Sequence, residues 1–200
     1  RVMRADVEFI ALQKPPGHAY KLYPRLFKLF REMRPAIVHS RNLAPLETVV
    51  PAWGAGVPIR IHGEHGRDML DLHGASRRYQ LGRKLYRPYV TRYIALSKDL
   101  ERYLCANVGV PAARVEQIYN GVDASKFRPA EARRGEIDGC PFRDPRYWLL
   151  GTVGRMDPVK DPLNLVRAFM QALQLAPAKR ERMRLLLVGD GALYSEARAM

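Results

Sequence analysis

The sequence predicts an α/β fold in two domains, each a Rossmann-like β/α/β unit built on parallel strands. Three observations carry this expectation. Short apolar runs alternate with amphipathic stretches of helix length as far as Tyr119. Residues 126–146, KFRPAEARRGEIDGCPFRDPR, are rich in proline, glycine and charge and show no period. A second alternation begins at Tyr147. Strands and helices in this rhythm imply parallel sheets with helices on both faces. The expected domains are residues 1–128 and 147–200, joined by a linker over 129–146.

The elements follow in order. DVEFIAL (6–12) reads as a strand. After QKPPGH, Leu22, Leu26, Phe30 and Met33 recur at helical spacing, with Pro24 in the first turns. AIVHS is the next strand, and an apolar helix over Leu43–Trp53 ends at Gly54 and Gly56. VPIRIH is a strand, Ser76–Tyr89 a basic helix, and RYIAL a strand whose Ser97 caps a helix reaching about Asn107. VEQIY closes the first alternation, stopped by NGVD. In the second, YWLLGTV is a strand and DPLNLVRAFMQALQLA a helix with Leu163, Val166, Phe169, Met170 and Leu173 on one face. RLLLVGDGALYSEARAM supplies a strand, a glycine turn and a helix start.

Composition bounds the function. An apolar share of 47% in 200 residues supports a packed core. Lys and Arg outnumber Asp and Glu 34 to 20, and a net charge of +14 predicts attraction to phosphates, anionic lipids or nucleic acid without choosing among them. Two cysteines, Cys105 and Cys140, with no CxxC and no histidines at zinc-ligand spacing, argue against a disulfide scaffold or structural metal and fit a reducing cytoplasm. No apolar run approaches the roughly 20 residues of a membrane span, so any membrane contact is expected to be peripheral. The chain opens on Arg1 and stops at Met200 within a helical pattern, so a piece cut at both ends is expected.

The densest chemistry lies in GTVGRMDPVKDP. Asp161 is placed as an N-cap and Pro162 as the first helical residue, so free N–H groups and a helix dipole favour an anion there. Gly154 opens the turn, and Arg155 and Lys160 flank it at the carboxyl end of a strand, where open α/β sheets bind ligands; together they could clamp a diphosphate. Ordinary solvated cations beside a βα loop are the alternative. No Walker loop is present, and VGDGALY offers Tyr194 where a dinucleotide fingerprint needs a third small residue, so hydride transfer is not expected. Gly189 and Gly191 also fit a tight strand-to-helix turn.

Taken together, these segments resemble the group 1, or family 4, retaining glycosyltransferases of the GT-B fold. YIALSKDLERYLCANVGVPAARVEQIYNGVDASKFRP, GTVGRMDPVKDPLNLVRAF and LLLVGDGALYSEARAM carry the resemblance over most of residues 93–200, and RPAIVHSRN and VPIRIHGEHG extend it upstream. RIHGEHGRDMLDLHG is similar to the subgroup found with exosortase and PEP-CTERM export systems, linked to exopolysaccharide assembly. The resemblance implies an acceptor-side first domain without its first strand and a donor-binding second domain, truncated. It implies transfer of a hexose-type sugar from a UDP- or GDP-sugar to a saccharide or lipid-linked acceptor. Arg155, Lys160 and Gly154 stand at the positions that bind the donor diphosphate, and His65 aligns with the histidine near the transferred sugar.

A histidine there can orient a hydroxyl or shuttle a proton, although His62, His65 and His73 each also fit a structural role. His39 ends a strand and reads as structural, and Arg41 stands where the family often has a second histidine. Asn120 and Gly121, with Asp123, most economically form a tight turn, one that the family brings to its cleft. No metal or other cofactor is expected, the nucleotide-sugar being a substrate. RRYQLGRKLYRPYVTR, with Tyr79, Leu85, Tyr86 and Tyr89 among its cations, could rest on anionic lipid at the inner face of the cytoplasmic membrane or be a plain solvated helix. The family's upstream glycine-rich loop and its downstream pair of glutamates lie outside the chain. Two rivals stand beside this reading. A basic nucleic-acid or phosphoglycan binder would show steep salt dependence and little discrimination between bases, whereas a glycosyltransferase is expected to discriminate and to bind no nucleic acid. A nucleotide-sugar epimerase would share the fold.

Overall fold

The computed structural model describes residues 7–15, 17–67, 71, 73–129 and 137–200. The chain divides into two compact units, Arg1–Gly121 and Val122–Met200. The first holds α1 (Tyr23–Met33), β1 (Ile37–Arg41), α2 (Leu43–Leu46), α3 (Val49–Gly54), β2 (Ile59–Glu64), α4 (Arg77–Tyr86), β3 (Arg92–Ala95), α5 (Lys98–Tyr103) and β4 (Val115–Gln117). Its sheet is parallel throughout, in the order β1-β2-β3-β4.

Register sorts the side chains. Ser40 pairs with His62, and His62 with Tyr93, so Ser40, His62, Glu64, Tyr93 and Ala95 share one face. That face carries the core, where Leu46, Val49, Leu100, Leu104 and Val108 from the helices close over Tyr93 and Ala95. Ile37, His39, Arg41, Ile59, Ile61 and Gly63 share the other face. The expected helical cover is thus found over the Tyr93 face, while Ile37 and Ile59 remain 52% and 41% exposed.

Local chemistry explains most boundaries. Arg34 ends α1 in the left-handed conformation, at φ 48°, and Pro35 follows. The helix expected over Leu43–Trp53 is two helices, because Pro45 and Pro51 lack the N–H that a continuous helix would use, and each falls within a first turn. Between them, Glu47 turns its carboxylate to His18 Nδ1 at 2.6 Å and to the backbone N–H of Ala19. Ser97 caps α5 by accepting from Leu100 N at 3.1 Å. The helix widens into a π turn over Leu104–Val108 and stops at Gly109, at φ 75°.

One expected element is absent. Residues 7–12 form no strand, Asp6 lying outside the described residues. A strand exists only through its ladder, and this segment instead gives the carbonyls of Ala11 and Leu12 to Arg25, at 3.3 and 3.2 Å.

The second unit holds β5 (Trp148–Val153), α6 (Pro162–Leu175), β6 (Met183–Val188) and α7 (Tyr194–Ala199). β5 and β6 pair in parallel, Trp148 with Met183 through to Val153 with Val188. Of the face expected on α6, Leu163 and Val166 are buried, Phe169 and Leu173 half-buried, and Met170 exposed. Of the expected linker, 130–136 lie outside the described residues. Within the rest, the Phe142 ring lies under the Arg184 guanidinium at 5.6 Å, beside the ring of Tyr147 at 4.1 Å. Among the described residues no helix is long and apolar enough to cross a membrane.

The largest electrostatic commitment in the first unit is a buried ion pair. Arg83 of α4 grips Glu64 of β2 bidentately, Nε to Oε2 and Nη2 to Oε1, both at 2.9 Å. Burial alone would raise the Glu64 carboxyl, but hydrogen bonds and charge from Arg83, with His62, hold it below the ordinary range. Arg83→Ala strands a buried carboxylate and is expected to cost about 3–5 kcal/mol in urea unfolding, with Glu64→Gln/Arg83→Met recovering part of it. A group held below its ordinary value stabilises above that value and loses the contribution as pH falls through the lowered one. The stability gap between wild type and Glu64→Gln should therefore narrow in acid.

Candidate functional sites at the strand ends

Parallel pairing directs the carboxyl ends of β5 and β6 to one edge of the second unit, and their loops interlock there. Gly154 N donates to Val188 O at 2.9 Å, Met156 N to Asp190 O at 2.8 Å, and Leu193 N to Met156 O at 2.8 Å. The fit excludes side chains. A Cβ on Gly189 would stand 1.9 Å from Gly154 O, and one on Gly191 2.6 Å from Met156 O, with φ at 149° and 153°. Both glycines thus serve a tight turn. Gly154 itself has open space around it.

Above this floor a pocket of about 140 Å³ is lined by Gly154, Arg155, Met156 and Lys160, with Pro162, Leu165 and strand-end residues of β5 and β6. Asp161 accepts from Asn164 N at 3.3 Å and Pro162 opens α6, so the N-terminus of a 14-residue helix stands beside Lys160. Arg155 Nη1 is paired with Asp157 Oδ2 at 3.0 Å while remaining 75% exposed. Oδ1 of Asp157 is buried without a hydrogen-bond partner. The three residues read from sequence as a phosphate clamp, Gly154, Arg155 and Lys160, therefore line one pocket.

In the first unit, His65 follows directly on β2. Its N–H donates to Asn42 Oδ1 at 3.2 Å. The Arg41 guanidinium lies across its ring, Nε 3.1 Å from Nε2 and Nη2 3.0 Å from Nδ1. Burial first, then the charge of Arg41, lowers the His65 imidazole below the ordinary histidine range, so it is neutral at pH 7. Beneath it, on the covered face, His62 is fully buried. Its Nδ1 meets Ser40 Oγ at 2.9 Å, and its Nε2 lies 3.7 Å from Glu64 Oε2. His62 thus belongs to the Glu64–Arg83 framework.

Asn120 and Gly121 are exposed beyond the last ladder bond of β4, Ile118 N to Ala95 O. The tight turn expected of them forms just downstream. There Asp123 Oδ1 accepts from Ser125 Oγ and from the N–H groups of Ser125 and Lys126, which hold its carboxyl below the ordinary range. Among the described residues, no group of three His, Cys, Asp or Glu side chains could hold a metal. Sequence reasoning did not single out Glu64, Arg83 or Asp157. An acid closing the apolar strand run VPIRIHGE was the available signal for Glu64, whereas Arg83 lay among other cations and gave none.

Comparison with known proteins extends this picture. The family described as Glycosyltransferase Family 4 matches residues 2–126. A D-inositol 3-phosphate glycosyltransferase 2 of Catenulispora acidiphila is 35% identical over 99 residues, 49% of this chain and 22% of that protein. The match thus spans under a quarter of that relative's length. A glycosyltransferase from Rickettsia africae superposes with a TM-score of 0.62 at 18% identity, covering 96% of this chain and 49% of that one. Anabaena Alr3699/HepE, in complexes with UDP and UDP-glucose, gives TM-scores of 0.62 and 0.60 at 16% and 18% identity. Those superpositions cover 89% and 92% of this chain and 45% and 47% of the Anabaena chains. The α/β architecture is that of the GT-B fold.

The glycine geometry separates structural from open positions. Gly189→Ala should destabilise the chain by about 2 kcal/mol or more in urea unfolding, because backbone must move. Gly151→Ala, whose Cβ would meet Leu186 O at an ordinary 3.8 Å, should leave stability within about 0.5 kcal/mol of wild type.

Proposed function

Because the chain belongs to Glycosyltransferase Family 4, we propose that it works as a retaining glycosyltransferase, moving a hexose-type sugar from a UDP- or GDP-sugar to a saccharide or lipid-linked acceptor. In this reading residues 1–128 serve the acceptor side and residues 147–200 the donor side. The observation that carries the reading is the pocket shared by Arg155, Lys160 and Gly154 beside the start of α6. Breaking the sugar–phosphate bond builds negative charge on the leaving diphosphate oxygen. Two cations and a helix N-terminus already in place stabilise that charge without reorganising. The solved complexes of Anabaena Alr3699/HepE with UDP and UDP-glucose favour uridine as the base.

His65 supplies the complementary chemistry on the acceptor side. A neutral imidazole at a strand end can accept a hydrogen bond from a sugar hydroxyl or relay its proton, exchanging its contact with Arg41 for one to substrate. The cation supply at the donor pocket also favours transfer without a divalent metal. A role in exopolysaccharide or envelope glycan assembly, of the kind linked to PEP-CTERM systems, fits a cytoplasmic enzyme working at the inner membrane face. Support for that placement comes from α4, where Leu81 and Leu85, 67% and 65% exposed, sit on one face with Arg77 and Lys84 and no acid. Such a face suits an anionic headgroup layer.

In the active enzyme, Arg155→Ala and Lys160→Ala should each lower turnover by roughly two to three orders of magnitude, or about 2–4 kcal/mol of transition-state stabilisation, with unfolding curves unchanged. Rates near wild type in both variants would remove the diphosphate assignment. Sugar transfer should also continue in excess chelator, as measured by nucleoside diphosphate release. Activity abolished by chelator and restored by magnesium or manganese would contradict metal independence.

A further inference from the structure

Three nitrogen-bearing side chains converge where β1 and β2 end. His39 and Arg41 lie on the more exposed face of the sheet, and Arg41 pairs in register with Gly63. A Cβ on Gly63 would stand 2.7 Å from His65 Nε2 and 3.0 Å from His39 Nε2, so both imidazoles meet above one backbone position that only glycine leaves clear. Arg41 lies on the same His65 ring. Among the described residues its guanidinium has no carboxylate partner. Glu64, next to His65 in sequence, is fully buried and engaged by Arg83, and Glu47, the acid nearest Arg41 in sequence, is engaged by His18 and the Ala19 N–H.

The charge state follows from these contacts. His39 is held below the ordinary histidine range by burial and by the charges of Arg41 and His62, as His65 is by burial, Arg41, His39 and His62, with Glu64 opposing. At neutral pH each imidazole keeps one N–H, and a fixed positive charge sits on Arg41. A planar guanidinium beside two neutral donors matches an oxyanion, which can take a forked pair of hydrogen bonds and supply the missing counter-charge.

We propose that the Arg41–His39–His65 cluster recognises an oxyanion substituent, phosphate or carboxylate, on the sugar acceptor, making Arg41 the residue that sets acceptor specificity. The word acceptor rests on the glycosyltransferase reading; the anion chemistry rests on the cluster alone. The donor diphosphate is not the occupant assigned here, because Arg155 and Lys160 supply its cations in the second unit.

The test is a histidine side-chain NMR titration of the 200-residue chain at fixed ionic strength, with inorganic phosphate, glucuronate and glucose as probes. Phosphate or glucuronate should shift the His39 and His65 resonances and raise their pKa values, while glucose does not. Preference between the two anions identifies which substituent the acceptor carries. Arg41→Gln, at an exposed position, should weaken anion binding roughly ten- to a hundredfold, and Arg41→Lys should restore part of it. Unmoved imidazoles, an equal response to glucose, or anion binding unchanged in Arg41→Gln would each overturn the proposal. UDP binding followed in the same samples separates the two readings. UDP bound without any oxyanion response defeats this inference alone. Oxyanion binding lost in Arg41→Gln, with no UDP binding at all, supports the cluster and counts against the donor site.

Discussion

Parallel pairing is the constraint from which both candidate sites follow. In a parallel sheet every strand must return by a crossover, so all strands of a unit end on one edge and their outgoing loops gather there. In the first unit that edge collects Arg41, Asn42, Gly63 and His65. In the second it collects Gly154, Arg155, Gly189 and Gly191. None of these residues is close to all its neighbours in sequence, and each reaches the edge only because the register brings it there. The cost is backbone crowding. At Gly189 it is met by a residue with no Cβ, and at Met156 by hydrogen bonds that tie one loop to the other.

The surplus of positive charge is partly structural. Arg83 is consumed by Glu64, and several other arginines cap backbone carbonyls. Arg60 donates to Tyr89 O, Arg87 to Val108 O and Gly109 O, Arg92 to Ala113 O, and Arg114 to Thr91 O and Arg87 O. An arginine fork satisfies carbonyls at strand and helix ends that would otherwise face outward without partners. A carbonyl carries no net charge, so these arginines still count in the net +14; what they give up is donor capacity, which is committed to the backbone rather than open to a ligand. That raises the interest of cations such as Lys160 and Arg41, which among the described residues serve no such carbonyl.

Much of this was legible before any coordinates. The strand–helix rhythm located six strands, because apolar period and turn residues are local properties. Ser97 and Asp161 were legible as caps for the same reason. What escaped depends on partners distant in sequence. Residues 7–12 have strand composition, yet composition cannot supply a ladder. Pro45 and Pro51 were visible, but how sharply they would divide one apolar stretch depends on Glu47 finding His18 and Ala19. The Glu64–Arg83 pair joins residues 19 apart on a strand and a helix. The basic run around α4 concealed the one arginine that faces inward. Gly189 and Gly191 were readable as a turn, whereas Gly63, which keeps the His39–His65 position open, carried no sequence signal beyond being a glycine beside a histidine.

The ion pair between Arg155 and Asp157 bears on how the pocket at Gly154 and Lys160 would take an anion. Taken alone, the pair reads as evidence that Arg155 is committed to structure and unavailable to a ligand. The energetics argue otherwise. Arg155 is largely exposed, and an exposed pair of this kind contributes about 0–1 kcal/mol, so exchanging it costs little. A diphosphate offers more than one charge and a forked set of acceptors in place of a single carboxylate oxygen. Asp157, more buried than its partner, is the fixed member, and Lys160 N donates to its carbonyl at 2.9 Å. The aspartate thus restrains the loop carrying both cations and holds the guanidinium near the pocket when no anion is there. An arginine so restrained loses less side-chain entropy on engaging a phosphate than one free in solvent, and more of the electrostatic gain remains for the transition state.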